Sequence, residues 1–384
     1  MGVYKEKLGV INTVKRNSLN SLLLILFFFL LVDMLSYFLP IFTQISYFLK
    51  ISFFLFIISL TRAYPLPFSL LIIFICFQIF NSVLIHKTFI EPNLLKFSTF
   101  LCIPFIRNVP IKDKSFNQKT LIAILFLIIV NTLLGIYGIG KTNYGTIEGA
   151  TVGVRGLFKS GNEFSIVFCT TVSILAISKI RLKLSLLLLL TILSLFVATK
   201  TTILFSTLIL SYCLYKNYGL KKIAYFLGPI LFFISFAFLN RLVVLIKRYK
   251  FVYEKSDTII NFITSSRTSR LSDLPILIDT MSVWDLLFGC GPLLKDKLFS
   301  ISYYFGSFEM DPLDILFSYG FFGFLFYLYV FFELIRRTKG GLPKYILILF
   351  LTISVIAGHL AESSYGAISL LLIFKASSVS DSKL

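Results

Sequence analysis

The sequence predicts an all-α, polytopic membrane bundle of about twelve helices, a single domain over residues 1–384, and three observations carry that expectation. Mean hydropathy is +0.90 with 57% hydrophobic residues, far above the globular range, so the bilayer is the solvent for most of the chain. Apolar runs able to cross roughly 30 Å of hydrocarbon recur throughout. Basic residues cluster in alternate connections between those runs, as the positive-inside rule requires.

The runs fall at about 19–39, 43–61, 66–86, 89–107, 119–140, 162–180, 183–199, 201–216, 222–245, 312–336, 343–359 and 363–376. The first is too long and bulky for a cleaved signal, and Asp33-Met34-Leu35 after Val32 offers no small-residue cleavage site, so it is expected to stay as a helix. With the N-terminus inside, the inner segments hold 21 of the 37 basic residues against four acids, leaving 16 basic and 14 acidic residues elsewhere. Both termini are then cytoplasmic, and the net charge of +19 reflects membrane topology rather than a nucleic-acid partner. The weakest run, 89–107, carries Glu91, Pro92, Lys96 and Pro104; removing it would put Lys112, Lys114 and Lys119 outside, so a short or broken helix is expected there. Asp33, near the outer end of the first run, is the clearest intramembrane charge.

Five cysteines show no metal spacing and four lie within apolar runs, which reads as inert packing thiols. Only two histidines occur and no Gly-rich phosphate loop is found, so no cofactor or metal is expected. Neither an internal repeat nor a set of mid-bilayer charges signals a transporter.

Polar material concentrates in two outer loops, 141–161 and 246–311. The second is about 66 residues, long enough to be functional. Its stretch 271–289 places Leu271, Leu274, Leu277, Met281, Trp284 and Leu287 as an interfacial amphipathic helix anchored by Trp284, a structural cover or a substrate gate. Eight basic and eight acidic residues balance the loop, so most of them are read as scaffolding.

Several groups suit anion chemistry. The hairpin 183–216 has short helices, which sets its tip, Thr199-Lys200-Thr201-Thr202, slightly below the outer surface. A lysine at a helix N-terminus makes an anion site there, or simply snorkels beside a threonine N-cap. In Val154-Arg155-Gly156-Leu157-Phe158-Lys159-Ser160-Gly161-Asn162-Glu163, Arg155 can clamp a phosphate, Ser160 or Asn162 can cap the next helix, and Glu163 complements its dipole. Arg267 and Arg270 precede the amphipathic stretch, and Arg248 lies in the basic cluster after the ninth run. Asp311 as N-cap, Pro312 and Asp314 form a capping arrangement for the tenth helix. Glu309 has no such structural reason; flanked by Phe308, it is expected to have a raised pKa and act as a base. Gly320 and Gly323 read as close-packing positions, and His359 as a polar interface residue.

Taken in order, Arg155-Gly156-Leu157-Phe158 with Gly161-Asn162-Glu163, Thr199-Lys200-Thr201, Arg267 or Arg270 leading to Leu287-Phe288-Gly289-Cys290-Gly291-Pro292, and Glu309 through Gly323 with a closing Ala357-Gly358-His359 resemble the O-antigen polymerase and ligase superfamily of bacterial envelope glycosyltransferases. The resemblance covers roughly residues 150–325. Two departures stand out: Lys200 where the family usually has arginine, and Glu309 where ligases begin with histidine, which points towards polymerase.

The resemblance implies a GT-C-like enzyme of the bacterial inner membrane that joins undecaprenyl-diphosphate-linked oligosaccharides at the periplasmic face, with inversion and without metal. It implies Arg155, Lys200 and Arg267 or Arg270 as diphosphate ligands, Glu309 as the group that orients or deprotonates the acceptor hydroxyl, and apolar faces for membrane lipid and polyprenyl tails. Asp311, Asn162, Glu163 and Arg248 are secondary candidates, and a chain-length regulator protein is admitted as a partner. The alternatives are an O-antigen ligase acting on lipid A–core and a lipid-linked oligosaccharide flippase.

Overall fold

The computed structural model describes residues 18–61, 65–87, 93–108, 116–142, 146–147, 150–151, 153–217, 267–301 and 307–379, with scattered positions between 243 and 259. The predicted ninth span, 222–245, apart from Val243, and Arg248 lie outside the described residues. Within them the chain is mostly helical.

In chain order, α1 (Ser18–Leu35), α2 (Ile41–Thr61) and α3 (Pro65–Phe80) precede a π turn at Asn81–Ile85. Then come α4 (Leu94–Leu101) with a 3₁₀ turn at Ile103–Asn108, and α5 (Gln118–Ile136). After a β segment follow α6 (Gly161–Ile177), α7 (Lys183–Val197) and α8 (200–217). A 3₁₀ turn at Thr268–Asp273 leads to α9 (Leu274–Asp279), α10 (Val283–Phe288) and α11 (Leu293–Ile301). The chain closes with α12 (Asp311–Arg337), α13 (Gly341–Ala357) and α14 (Ser364–Val379).

Among the described residues, four stretches are long and apolar enough to cross a membrane: Ile41–Ser59, Phe68–Ile85, Gln118–Ile136 and Asp311–Arg337. Shorter apolar helices accompany them, including Leu94–Ile106, where Pro104 falls in a 3₁₀ turn, so the described part of the weak run 89–107 is short and broken. Large apolar side chains point outward from these helices: Phe48 is 69% exposed and Phe126 63%, a surface suited to hydrocarbon.

The last helix is the centre of the bundle. Tyr365, Ile368, Leu370, Leu372 and Ile373 of α14 are fully enclosed, packed between α1, α4, α6 and α13. A helix apolar on every side buries itself this way. Small hydroxyls let it approach α6, where Thr170 and Ser369 share a hydrogen bond.

Three local features depart from the sequence reading. The loop 141–161 holds two antiparallel ribbons: β1 (Lys141–Thr142) pairs with β4 (Val154–Gly156), and β2 (Thr146–Ile147) with β3 (Ala150–Thr151). An all-α chain therefore carries a small β element. The buried Asn131 of α5 anchors it, donating to the Arg155 carbonyl at 3.1 Å and accepting from the Leu157 amide at 2.8 Å. Gly156 permits that contact, since a Cβ there would lie 2.4 Å from the Asn131 carbonyl.

Second, no single amphipathic helix spans 271–289. The stretch is a 3₁₀ turn and two short helices, and Ser282 with Asp285 starts the second as a capping box. Trp284 is tied to the bundle rather than only anchored at an interface: its indole donates to Asn81 Oδ1 at 3.0 Å.

Third, α12 is broken at Gly320, whose φ of 73° and ψ of −176° interrupt the helix. The carbonyls freed at Phe317 and Ser318 accept from the Cys290 and Gly291 amides at 2.9 and 3.0 Å. A Cβ on Gly320 would lie 2.3 Å from the Leu287 carbonyl, so the Leu287–Gly291 loop docks into the break only because glycine stands there. This seam ties the Leu287–Gly291 loop to α12 at Phe317–Gly320.

Candidate functional site

The helix ends that carry the candidate residues meet at one end of the bundle. The other end of α12 carries a separate cluster, with Glu333 2.6 Å from Arg336 and also paired with Arg337.

A pocket of about 100 Å³ lies at the candidate end, lined by Asn162, Ser165, Thr199, Lys200, Arg267 and Gly358 among others. Each wall has a local cause. Ser160 caps α6, its hydroxyl accepting from the Glu163 amide, which sets the first turn of that helix against the pocket. The α7–α8 turn passes through Ala198 at φ 55°, after which Thr199 Oγ1 accepts from the Thr202 amide and meets Ser165 Oγ at 3.1 Å. Lys200 thereby lines the pocket with Arg267, within electrostatic reach of it. Burial, then the charge of Arg267, pushes the Lys200 ammonium down to about 8. Two cations sharing a partly dry pocket favour an anion between them.

Arg267 is oriented by Glu309. Its Nε and Nη2 both donate to Glu309 Oε2, at 3.1 and 2.9 Å. Arg270 approaches the same oxygen at 3.7 Å and donates from Nη1 to the Ser307 carbonyl at 2.8 Å. Both guanidiniums are largely buried, while the Glu309 side chain is 35% exposed. The expected apolar flank is absent from this environment, because Phe308 turns away to stack on Phe317 at 5.6 Å. Glu309 thus faces two cations, and holding Arg267 in register is a role the geometry assigns to it directly.

The backbone beneath is closely built. Gly358, at φ 63°, faces Glu309 so tightly that a Cβ would lie 2.5 Å from the Glu309 carbonyl. Asp311 is not the N-cap of α12, since Met310 holds that position. Its carboxylate instead accepts from the Leu360 and Ala361 amides at 2.9 and 3.0 Å, and from Ser354. Asp311 therefore clamps the α13–α14 turn against the start of α12. Asp314 does reach back over the helix start, accepting from the Phe308 and Met310 amides. Four described non-glycine residues have positive φ, Lys87, Ala198, Glu309 and His359, and the last three flank this pocket. Backbone strain of that kind, about 1–3 kcal/mol per residue, gathers at functional sites.

Of the sequence candidates, Lys200, Arg267 and Asn162 share the pocket wall, and Arg270 and Glu309 join through the ion pairs. Asp311 is a buried clamp behind it. Glu163 lines a neighbouring pocket. Arg155 lines neither, and its Nη1 donates to the Lys159 carbonyl at 2.8 Å.

No protein-family model matches this chain, and no curated protein sequence matches it.

Asn131 and the pair Gln78 and Asn81 escape the sequence reading, and Gly358, present there only within the closing Ala357-Gly358-His359, lies against the Glu309 backbone. The amides of Gln78 and Asn81 donate to the Phe288, Tyr319 and Gly289 carbonyls across the α12 break. The signal was present as lone amide side chains inside otherwise apolar runs. Among the described residues, no group of three His, Cys, Asp or Glu side chains is disposed to hold a metal ion.

Proposed function

We propose that this chain is a polytopic glycosyltransferase of the O-antigen polymerase type, a GT-C-like bundle of about twelve helices in the bacterial inner membrane. In this reading the pocket end faces the periplasm, both termini are cytoplasmic, and the substrates are undecaprenyl-diphosphate-linked oligosaccharide repeats. One observation supports the reading above the rest: Arg267 and Lys200 line one pocket, with Glu309 gripping the arginine.

The chemistry follows from that arrangement. The acceptor hydroxyl oxygen bonds to the anomeric carbon of the donor while the bond from that carbon to the diphosphate breaks on the opposite face. The diphosphate leaves with the electron pair, and the hydroxyl proton passes to a base. Arg267 and Lys200 neutralise charge as it develops on the leaving group, a role worth most where water is scarce. Glu309 fixes the guanidinium fork and, with its exposed edge, accepts a hydrogen bond from the acceptor hydroxyl or takes its proton. Arg270 adds a second positive charge near the same Glu309 oxygen, at 3.7 Å.

Deletion of the protein tests the reading in cells. Loss of a polymerase leaves lipid A–core bearing a single repeat; loss of a ligase leaves it bare, with polymer stranded on undecaprenyl diphosphate. Normal polymer ladders after deletion would remove the proposal.

A further inference from the structure

A second polar pocket, of about 180 Å³, adjoins the first across the opening turn of α6: Asn162 and Ser165 line one, Glu163 the other. We infer that this second pocket is a carbohydrate subsite that seats a pyranose ring of the acceptor glycan, an assignment that rests on the glycosyl-transfer reading above.

Its composition selects the ligand. Three lysines, Lys50, Lys96 and Lys159, share the lining with two acids, Asp33 and Glu163. A diphosphate would meet both carboxylates, each costly to bring near an anion in a partly dry site. A neutral polyhydroxylated ring offers donors and acceptors together and suits that mixture. Tyr47, 65% exposed, adds an amphipathic aromatic surface to the same lining.

The walls are fixed in place before any ligand arrives. Asp33 is held at both oxygens: Oδ1 accepts from Ser46, and Oδ2 from Lys50 at 3.2 Å and Tyr365 at 2.6 Å. It therefore serves as an anchor that orients Lys50, which also lies 5.5 Å from the centre of the Tyr365 ring. Lys159 donates to Thr43 at 2.5 Å, joining the β4–α6 loop to α2. Lys96 donates to Asn93, whose amide in turn donates to Glu362 at 3.4 Å. Glu163 lies within electrostatic reach of Lys50.

Position gives the subsite its purpose. Transfer between two glycans needs the acceptor ring beside the anomeric carbon, with the leaving diphosphate on the far side of that carbon. Two pockets separated by one helical turn, one with Arg267 and Lys200 and one with mixed charge, meet that requirement.

The test measures binding of the soluble repeat oligosaccharide, released by mild acid from the host bacterium's own lipid-linked material, to the full chain in detergent by saturation-transfer NMR titration. Wild type is expected to bind. Glu163→Gln and Tyr47→Ala are each expected to raise the dissociation constant about tenfold, the loss of one good contact. Tyr47 is an exposed side chain, so its variant keeps the test open if Glu163→Gln folds poorly. Wild-type affinity in both variants, no binding by wild type, or displacement of the oligosaccharide by inorganic pyrophosphate would each overturn the subsite. Turnover is read separately: protein that binds the glycan through Glu163 yet never joins lipid-linked repeats keeps the subsite and sinks the glycosyl-transfer reading.

Discussion

Arg267 meets Glu309 through two nitrogens on one oxygen, Nε at 3.1 Å and Nη2 at 2.9 Å, while the same arginine lines the pocket that holds Lys200. A guanidinium gripped along one edge keeps its remaining donors in a fixed direction. The acid and the base are then one device, and changing either should disturb the same step.

Arg267→Ala is therefore expected to lower turnover of lipid-linked repeats by about 10²–10³, the range for losing one preorganised charge partner. Arg267→Lys should restore little, because an ammonium lacks the fork. Glu309→Gln should fall in the same direction. Initial rates of purified variants decide, and a wild-type rate in Arg267→Ala would refute its role.

Lys200 sets a pH dependence. With its ammonium pushed down to about 8, it is charged below that pH and neutral above it. Under the proposed function, diphosphate binding by Lys200 is expected at pH 7 and is expected to be lost as the pH rises through about 8. The Michaelis constant should climb across that window in wild type and stay flatter in Lys200→Arg. Identical profiles in the two would show that Lys200 does not touch the leaving group.

Gly358→Ala probes the backbone under Glu309. The added methyl would sit 2.5 Å from the Glu309 carbonyl at a residue of positive φ, so either Glu309 shifts or the α13–α14 turn does. Activity is expected to fall about tenfold or more, since misplacement near a reacting group is severely penalised. Rate and thermal melting on one preparation separate a displaced site from a collapsed fold.

Asp311→Ala should act on stability first. It leaves the Leu360 and Ala361 amides without their acceptor in a buried turn, at about 1–3 kcal/mol for each orphaned group. A lower melting temperature in detergent is expected, with Asp311→Asn intermediate because its amide oxygen still accepts. Unchanged melting in Asp311→Ala would contradict the clamp.

Arg155→Ala distinguishes the resemblance from the geometry. A diphosphate ligand would lose activity as severely as Arg267→Ala. A guanidinium turned onto the Lys159 carbonyl predicts a loss within about tenfold, the worth of one positioning hydrogen bond. Comparing the two alanine variants in one rate assay decides.

The sequence made much of the helical pattern legible, because hydrocarbon-facing runs leave a composition that survives without any knowledge of packing. Lys200 and Glu309 were legible too, as polar residues beside the ends of such runs, and Arg267 and Arg270 as the basic pair ahead of the 271–289 stretch. The partner of Glu309 was not: Phe308 is its neighbour along the chain, while Arg267 comes from 42 residues earlier. Asp311 misled for a related reason, since a carboxylate before Pro312 reads as a local cap and its true acceptance from Leu360 and Ala361 is a tertiary contact. The Gly320 break and the Asn131 anchor belong to the same class, with causes that lie across the bundle rather than along the helix.

The most direct measurement is release of undecaprenyl diphosphate as purified protein joins synthetic lipid-linked repeats, followed in wild type and Arg267→Ala side by side. The account predicts one diphosphate released per linkage formed in wild type, and a rate lower by about 10²–10³ in the variant. Linkage formation at the same rate in both, or no release from wild type, would contradict it.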